Sequence, residues 1–342
     1  MIKEKKALLG MTPKEILEIT THIGLPEFSA REIALWIYKR GAQSFDAMTN
    51  ISLQGRKLLA QNYTVGLTPF SKENISVDGT KKYLFPTAKN RYIETAYIPE
   101  KNRHTLCISS QTGCKLNCKF CMTGKQGYQG QLSVTEILNQ VIALPEKELI
   151  TNFVFMGMGE PFDNTESVLK ALEILTSDFG LDINPRKITV STVGLIPGMK
   201  KFLEESRCSL AVSLHSPFDD EREMLMPVQK KYPIEKVVET LKTYKFDRNR
   251  RLSFEYILFK DINDSQRHIN KLVRLLNGLK CRINLIRFHT IPGTSLKGTD
   301  EDALKNFRDR LNKKGFIATV RASRGEDIMA ACGLLSTKEL VQ

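Results

Sequence analysis

Eight residues carry three of the chain's seven cysteines: Cys114-Lys115-Leu116-Asn117-Cys118-Lys119-Phe120-Cys121, a C-x3-C-x2-C spacing. Three thiols this close, directly after Thr112-Gly113, can converge on a metal centre, and thiolate is the ligand that soft metals take. An iron–sulfur cluster suits such a loop. Zinc is the alternative, but a structural zinc takes four ligands, and the run itself supplies no fourth Cys or His. A cubane [4Fe–4S] cluster on three cysteines leaves one iron open to a substrate.

A second run, Phe155-Met156-Gly157-Met158-Gly159-Glu160-Pro161, sets glycines before a carboxylate. Glycine admits close backbone approach to a ligand, and Glu160 can pair with a ligand ammonium. Other polar residues close strand-like segments: Ser191, then Ser213-Leu214-His215, then His289. Each alone is as readily a turn residue as a functional one; their shared placement makes them a set. Cys208 and Cys281 stand among apolar residues and read as small buried hydrophobes. Cys107, in Leu106-Cys107-Ile108, reads by itself as structural. Cys332, in Ala330-Ala331-Cys332-Gly333, has small neighbours that leave its sulfur accessible, which makes it a candidate nucleophile.

These residues need a frame. Strand patterns at 105–110, 151–156, 187–192, 209–214, 252–258 and 282–288 alternate with helix patterns at 133–144, 165–176, 234–244, 265–276 and 301–313. Such alternation predicts a parallel sheet with crossover helices. Six units are too few for a closed eight-fold barrel, so the expected fold is α/β with an open, partial barrel. Functional groups then gather at the carboxyl ends of the strands. Upstream, residues 12 to about 60 read as helices. Thr12-Pro13-Lys14-Glu15 predicts an N-cap with Pro at the first helical position, and Ser29-Ala30-Arg31-Glu32 predicts a capping box. Short strands broken by Asp78-Gly79 follow. The expected segments are a helical domain (1–70), a β-rich connector (71–100) and an α/β core (101–342) that ends in the Cys332 loop.

The composition, 41% hydrophobic and 26% charged over 342 residues, fits a globular chain. No apolar run approaches the roughly 18 residues needed to cross a bilayer, and Met1-Ile2-Lys3-Glu4-Lys5-Lys6 does not open a signal peptide. An odd, crowded cysteine set predicts a reducing cytoplasm rather than a disulfide framework. Lys and Arg number 51 against 38 acids, a net charge of +13. Residues 101–135 hold five Lys/Arg and 265–299 hold seven, and neither stretch has an acid. The expected partner is a polyanion, most simply nucleic acid.

The three-cysteine run after the first strand of a partial barrel resembles the signature of radical S-adenosylmethionine (SAM) enzymes. Gly157-Met158-Gly159-Glu160-Pro161 resembles their Gly-Glu-Pro element, which engages the SAM amino group. A narrower likeness rests on Arg321-x-x-Arg324-Gly325-x-Asp327-Ile328-x-Ala330-Ala331-Cys332-Gly333, the block from Cys107 to Cys121 and Ser213-Leu214-His215-Ser216-Pro217. Together these resemble the RlmN group, dual-specificity RNA adenine carbon-2 methyltransferases. The likeness spans nearly the whole chain, including Phe28-Ser29-Ala30-Arg31 and Phe45-Asp46-Ala47-Met48-Thr49. It implies an open (βα)6 partial TIM-like barrel with a small N-terminal helical accessory domain. It implies one [4Fe–4S] cluster per chain on Cys114, Cys118 and Cys121. SAM would bind Gly159, Glu160, Ser191, Ser213, Leu214, His215 and His289. The implied partners are 23S rRNA, at an adenosine of the peptidyl-transferase centre, tRNA, at the adenosine 3′ of the anticodon, and a flavodoxin- or ferredoxin-type electron donor, with no membrane.

Carbon 2 of adenine lies between two ring nitrogens and is too electron-poor to attack a SAM methyl. The resemblance implies that two SAM molecules are used per turnover. Cys332 takes a methyl from the first and becomes S-methylcysteine. The second, cleaved reductively, yields a 5′-deoxyadenosyl radical that removes a hydrogen from that methyl, and the methylene radical adds to carbon 2. Cys107 then forms a disulfide with Cys332 to release the product, and Glu94, in Tyr92-Ile93-Glu94-Thr95, accepts the carbon-2 proton. Two positions depart from the common pattern: His289 stands where many members have Asn, and Leu334 where Gln is common. A carbon-8 methyltransferase of the Cfr type would share the cluster and both cysteines; Pro161 and Arg324 favour the carbon-2 group. A non-enzymatic RNA-binding protein with a structural cluster would want a fourth cysteine ligand.

Overall fold

The structure is a computed structural model and describes residues 5–337. Three helices come first: α1 (Pro13–His22), α2 (Phe28–Tyr38) and α3 (Leu53–Asn62). Thr12 caps α1 in both directions of a capping box, its hydroxyl accepting from the Glu15 N–H and the Glu15 carboxylate accepting from the Thr12 N–H, with Pro13 at the first helical position. A cap of this kind contributes about 1 kcal/mol. The Ser29 expectation fails: α2 starts at Phe28, and no side chain caps it. Ser29 is instead buried inside the helix. Tertiary packing has claimed the position that local pattern gave to a cap.

Ten strands form one sheet whose spatial order follows the chain strictly. They are β1 (Lys72–Ile75), β2 (Lys81–Thr87), β3 (Arg91–Glu100), β4 (Arg103–Cys107), β5 (Asn152–Phe155), β6 (Ile188–Thr192), β7 (Ser209–Ser213), β8 (Leu252–Leu258), β9 (Arg282–Arg287) and β10 (Ile317–Val320). The first three make an antiparallel meander that joins β4 antiparallel, so residues 71–100 continue the core sheet. From β4 to β10 every pairing is parallel. Crossovers are carried by α4 (Met122–Gln126), α5 (Val134–Ile142), α6 (Thr165–Thr176), α7 (Ile196–Glu205), α8 (Asp219–Leu225), α9 (Ile234–Lys242), α10 (Gln266–Leu276) and α11 (Glu301–Lys313).

Strand periodicity sorts the two faces of the sheet. Arg103, Asn152, Thr189, Ser209, Ser253, Asn284 and Thr319, one from each parallel strand, line a single concavity. Their neighbours Val190, Phe254, Ile283 and Leu285 point the other way, into a core shared with Val168, Leu172, Val237, Leu272 and Leu304 of the helices. The end strands β1 and β10 are not paired with each other, so the barrel is open. Ile16, Ile33, Ala34 and Leu59 of the N-terminal helices belong to the same continuous core.

Two expectations are corrected in detail. Six parallel strands were expected after residue 100, and a seventh, β10, follows α11; it is four residues long, with Ala318 its one buried member. The first strand ends at Cys107 rather than 110, because Ile108 and Ser110 turn to bond the glycine loop: Gly157 N–H donates to Ile108 O (3.1 Å) and Ser110 N–H to Met158 O (2.8 Å). Among the described residues no helix is long and apolar enough to cross a membrane.

Candidate active site

At the carboxyl ends of the parallel strands the chain encloses a cavity. Cys107, Cys114, Cys118, Cys121, Gly159, Glu160, Ser191, Ser213, His215 and Cys332 all line it. Leu214, His289 and Glu94, also expected at the site, stand outside that lining.

The three-cysteine loop is shaped by backbone contacts. Gly113 has φ +76°, and a Cβ there would meet Gly127 O at 1.7 Å. Only glycine fits such a position. Cys114 N–H donates to Gly127 O (3.2 Å), and Lys119 N–H donates to Leu225 O (3.0 Å), tying the loop to α8. Burial pushes the Cys114 thiol up to about 12 and the Cys118 thiol well above its usual range, the neighbouring sulfurs adding to it. Three thiols so placed ionise together only around a cation, which is what a metal cluster supplies. Among the described residues no three His, Cys, Asp or Glu converge on one point close enough to hold a single ion. A cubane asks for no such point, since each thiolate takes a separate iron. The donor set fits a three-cysteine cluster.

Beside Cys118 lies Arg222, fully buried. Its guanidinium donates to Leu214 O (3.1 Å), Ser213 O (3.1 Å), Val193 O (2.8 Å) and Gln229 Oε1 (2.6 Å). It therefore pins the loops that leave β6 and β7 and adds a positive charge under the cysteine loop. Burial pulls its pKa down to about 10, which still leaves it charged at neutral pH.

Gly157 and Gly159 serve packing against the protein itself rather than a ligand. A Cβ on Gly157 would reach Ser109 Oγ at 2.6 Å, and one on Gly159 (φ +99°) would reach Gln111 Cβ at 2.5 Å. The turn so formed aims Glu160 into the cavity. Its carboxylate accepts from Phe162 N–H (3.1 Å), Thr192 Oγ1 (2.7 Å) and Val193 N–H (2.9 Å). Burial nonetheless pushes Glu160 up to about 7 against those hydrogen bonds. Thr192, one residue beyond the expected Ser191, was not legible as a site residue.

His215 has φ +56°, and its Nδ1 accepts from Ile257 N–H (3.0 Å). Burial, with Arg222 nearby, lowers its pKa to about 3. The ring is thus neutral with its hydrogen on Nε2, a donor at the cavity wall. Leu214 places its side chain in the core and offers the site backbone alone. His289 turns toward the C-terminal loop, its Nε2 hydrogen-bonded with Ser323 Oγ and its Nδ1 3.1 Å from Glu326 Oε1.

Cys107 closes β4 and packs with Ala96, Val154 and Ala330. Burial pushes its thiol up to about 12, Cys332 reinforcing the shift and Arg321 opposing it. Cys332 is accessible from the cavity. The surrounding protein still raises its thiol above the ordinary range, against the pull of Arg321. Arg321 and Glu255, which also line the cavity, escaped the sequence reading as site residues. The Cys332 loop is held on three sides. Asp327 accepts from Ser76 Oγ (2.6 Å), Asp78 accepts from Gly325 N–H (2.9 Å), and Gly333 O accepts from Met122 N–H (2.8 Å). Glu94 closes its far end, accepting from Ser336 N–H (2.9 Å) while pairing with Lys82 (2.9 Å). Of the two remaining cysteines, Cys208 is buried in the core and Cys281 half-buried. All seven are free thiols.

Comparison with known proteins agrees with this geometry. Residues 108–273 match the radical SAM superfamily, and residues 6–65 match the ribosomal RNA large subunit methyltransferase N-terminal domain. A probable dual-specificity RNA methyltransferase RlmN of Bacteroides thetaiotaomicron is 56% identical over 97% of this chain and 96% of its own length. The dual-specificity RNA methyltransferase RlmN of Syntrophus aciditrophicus is 41% identical over 96% of each. The crystal structure of a radical SAM methyltransferase from Sphaerobacter thermophilus superposes with a TM-score of 0.90 at 38% identity, over 96% of this chain and 99% of the other. With both domain types matched and identity sustained over nearly its full length, the chain belongs to the RlmN family of radical SAM RNA methyltransferases.

Proposed function

We propose that this enzyme methylates carbon 2 of adenosine in 23S rRNA, at the peptidyl-transferase centre, and in tRNA, 3′ of the anticodon, with the methyl carried on Cys332. The observation that carries the reading is the placement of Cys107 and Cys332 on the cavity that also holds the Cys114, Cys118 and Cys121 loop. A direct methyl transfer would need no protein thiol; a methyl relayed through sulfur needs one to carry it and another to release it. The cluster, when bound, supplies the electron that cleaves SAM.

The chain's own groups do the rest. Arg321, beside both thiols, favours the Cys332 thiolate that takes the methyl and the Cys107 thiolate that later attacks the Cys332 sulfur. Glu160 receives the SAM ammonium, and the Nε2–H of His215, Ser191 and Ser213 supply hydrogen bonds from the strand ends. Glu94, paired with Lys82, accepts the carbon-2 proton. A flavodoxin- or ferredoxin-type protein delivers the electrons, two SAM molecules are spent per turnover, and RNA substrates of this kind put the reaction in the cytoplasm.

The test is methylation of 23S rRNA and tRNA fragments by anaerobically reconstituted enzyme, with the product isomers resolved by mass spectrometry. The 2-methyl isomer is expected from both RNAs, and the 8-methyl isomer would assign the carbon-8 reaction instead.

Glu160 gives a pH prediction. The SAM ammonium keeps its charge near neutrality, so only the carboxyl titrates. Protonated below about 7, it loses the attraction. SAM affinity is therefore expected to be highest just above about pH 7, to fall by up to about tenfold per unit below it, and to fall again at higher pH where the SAM ammonium loses its own proton. Glu160→Gln should weaken binding and flatten the profile. Equilibrium binding across neutral pH reads both, and an unchanged profile in the variant would remove the ammonium contact.

A further inference from the structure

Glu255 is a buried carboxylate with one idle oxygen. It lies midway along β8 and is 3% exposed. Its Oε1 accepts from Ser253 Oγ (3.0 Å) and Asn284 Nδ2 (2.8 Å). Asn284 is held in turn, its Oδ1 accepting from Thr319 Oγ1 (3.0 Å). Side chains of β8, β9 and β10 thus fix the carboxylate in one orientation. Oε2 is buried and has no hydrogen-bond partner. Among the buried unpartnered side-chain atoms of the described residues, it is the one whose residue lines the active-site cavity. Glu160, the other carboxylate on that cavity, has both oxygens occupied. Burying a carboxylate oxygen without a donor costs stability. An oxygen held in place and left open is fitted to a donor that arrives with a ligand.

The position of Glu255 selects that ligand. Met156, Glu255 and Arg321 line both the active-site cavity and the concavity at the strand starts. Burial works against the Arg321 charge, but Cys332, Glu255 and Cys107 outweigh it and hold its pKa above the usual value. Cys332 feels the same carboxylate, which joins burial in raising its thiol. Glu255 therefore stands near both the guanidinium and the sulfur assigned to carry the methyl, and the group that must come up to that sulfur is the target base. A carboxylate accepts and does not donate. On the base of adenosine the exocyclic N6 amino group is the donor, and the ring nitrogens are acceptors. Arg321 donates and does not accept, which suits a ring nitrogen. Carboxylate and guanidinium together match adenine. They mismatch a 6-oxo purine, whose oxygen would face Oε2 with no proton between them.

We propose that Glu255 determines specificity for the target base, its Oε2 accepting a hydrogen bond from the N6 amino group of adenine. The contact selects the base and orients it for Cys332; no bond to carbon changes and no proton is transferred. The proposal rests on the RNA methyltransferase reading and deepens it by naming the residue that reads the base.

The test uses reconstituted holoenzyme and RNA stem-loops that carry adenosine, inosine or purine riboside at the target position. Inosine replaces the amino group with oxygen and purine riboside replaces it with hydrogen; both keep the carbon-2 hydrogen. The readouts are kcat/KM for each RNA and Kd for SAM. Wild type should prefer adenosine at least about a hundredfold over inosine and about tenfold over purine riboside. Glu255→Gln can turn its amide toward a 6-oxygen. It should lower kcat/KM for adenosine about tenfold and shrink the adenosine-to-inosine ratio at least about tenfold. Glu255→Ala should lose the preference for adenosine over purine riboside. Differences in ring reactivity cancel because each ratio is compared between enzymes. A carboxylate that only supports Arg321 would slow all three substrates alike, so unchanged ratios overturn the proposal. A raised Kd for SAM with unchanged ratios also overturns it and gives Oε2 to SAM. Asn284→Ala removes the amide that holds Oε1 and should shrink the same ratios part-way; it decides the question if the Glu255 variants do not fold. Wild-type enzyme that methylates none of the RNAs fails the assigned reaction, while equilibrium binding of the three stem-loops still shows whether Glu255 reads the amino group.

Discussion

SAM labelled with three deuteriums on its methyl group is expected to yield methyladenosine that carries two. In the proposed relay the S-methyl on Cys332 gives up one hydrogen before its carbon bonds carbon 2 of the ring. The ring would then lose the carbon-2 proton to Glu94 and one electron, which the cluster, when bound, could take up. The Cys107 thiolate attacks the Cys332 sulfur, the sulfur–carbon bond breaks with its electron pair going to carbon, and that carbon takes one proton. The disulfide left behind is reopened by a dithiol reductant. Direct displacement would deliver all three deuteriums. Cys332→Ala removes the carrier and should lower turnover by at least about a thousandfold, as loss of a covalent nucleophile does. Cys107→Ala should lower it as far by a different route, leaving protein covalently joined to RNA because nothing attacks the Cys332 sulfur. Gel mobility and mass spectrometry read the adduct. A three-deuterium product, or a Cys107→Ala enzyme that turns over freely, sinks the relay. Because Cys107 packs with Ala330, two residues before Cys332, the resolving thiol has no long journey to make.

What the residues disclosed in sequence depended on how local the physics was. The three-cysteine run was legible because its ligands share one short loop, and the Thr12 cap because both of its hydrogen bonds close within four residues. Ser29 carried the same local signal and failed, since burial within α2 outweighed it. The parallel strands showed through their alternation, but β10, with one buried residue at the sheet edge, gave too little pattern to read. Arg222 sits in Asp219-Asp220-Glu221-Arg222, which looks like a solvated helix start; only the fold brings the carbonyls of Val193, Ser213 and Leu214 around it. The basic excess was legible as stretches of chain, not as a surface. Of the acid-free stretches, Arg103, Lys280 and Arg282 reach the concavity at the strand starts, while Arg267, Lys271 and Arg287 are paired with carboxylates. Arg186, Arg248 and Arg251 join them from segments that do not stand out, because strand starts distant in sequence converge at one end of a barrel.

The second large effect is expected from the cluster loop. Cys114→Ala, Cys118→Ala and Cys121→Ala should each lose the iron and the broad visible absorption of reconstituted protein, and reductive cleavage of SAM should fall below detection, a loss of at least about a thousandfold. The reasoning is electrostatic as much as geometric. Cys118 is buried, its thiol held protonated by that burial and by its two sulfur neighbours, with Arg222 the nearby opposing charge. Arg222 can offset part of the negative charge of three thiolates, and the irons must offset the rest. Removing one thiolate breaks the three-point hold, and the two that remain lie in a site too dry to stay ionised around a loosely held metal. Cys208→Ala supplies the control: its sulfur lies in the core away from the cavity, so the variant should keep its iron and cleave SAM even where it melts earlier. A Cys114→Ala protein with full iron content and normal 5′-deoxyadenosine formation would take the cluster off this loop, and the roles assigned to Glu160, His215 and the paired cysteines around it would have to be rebuilt on a different centre.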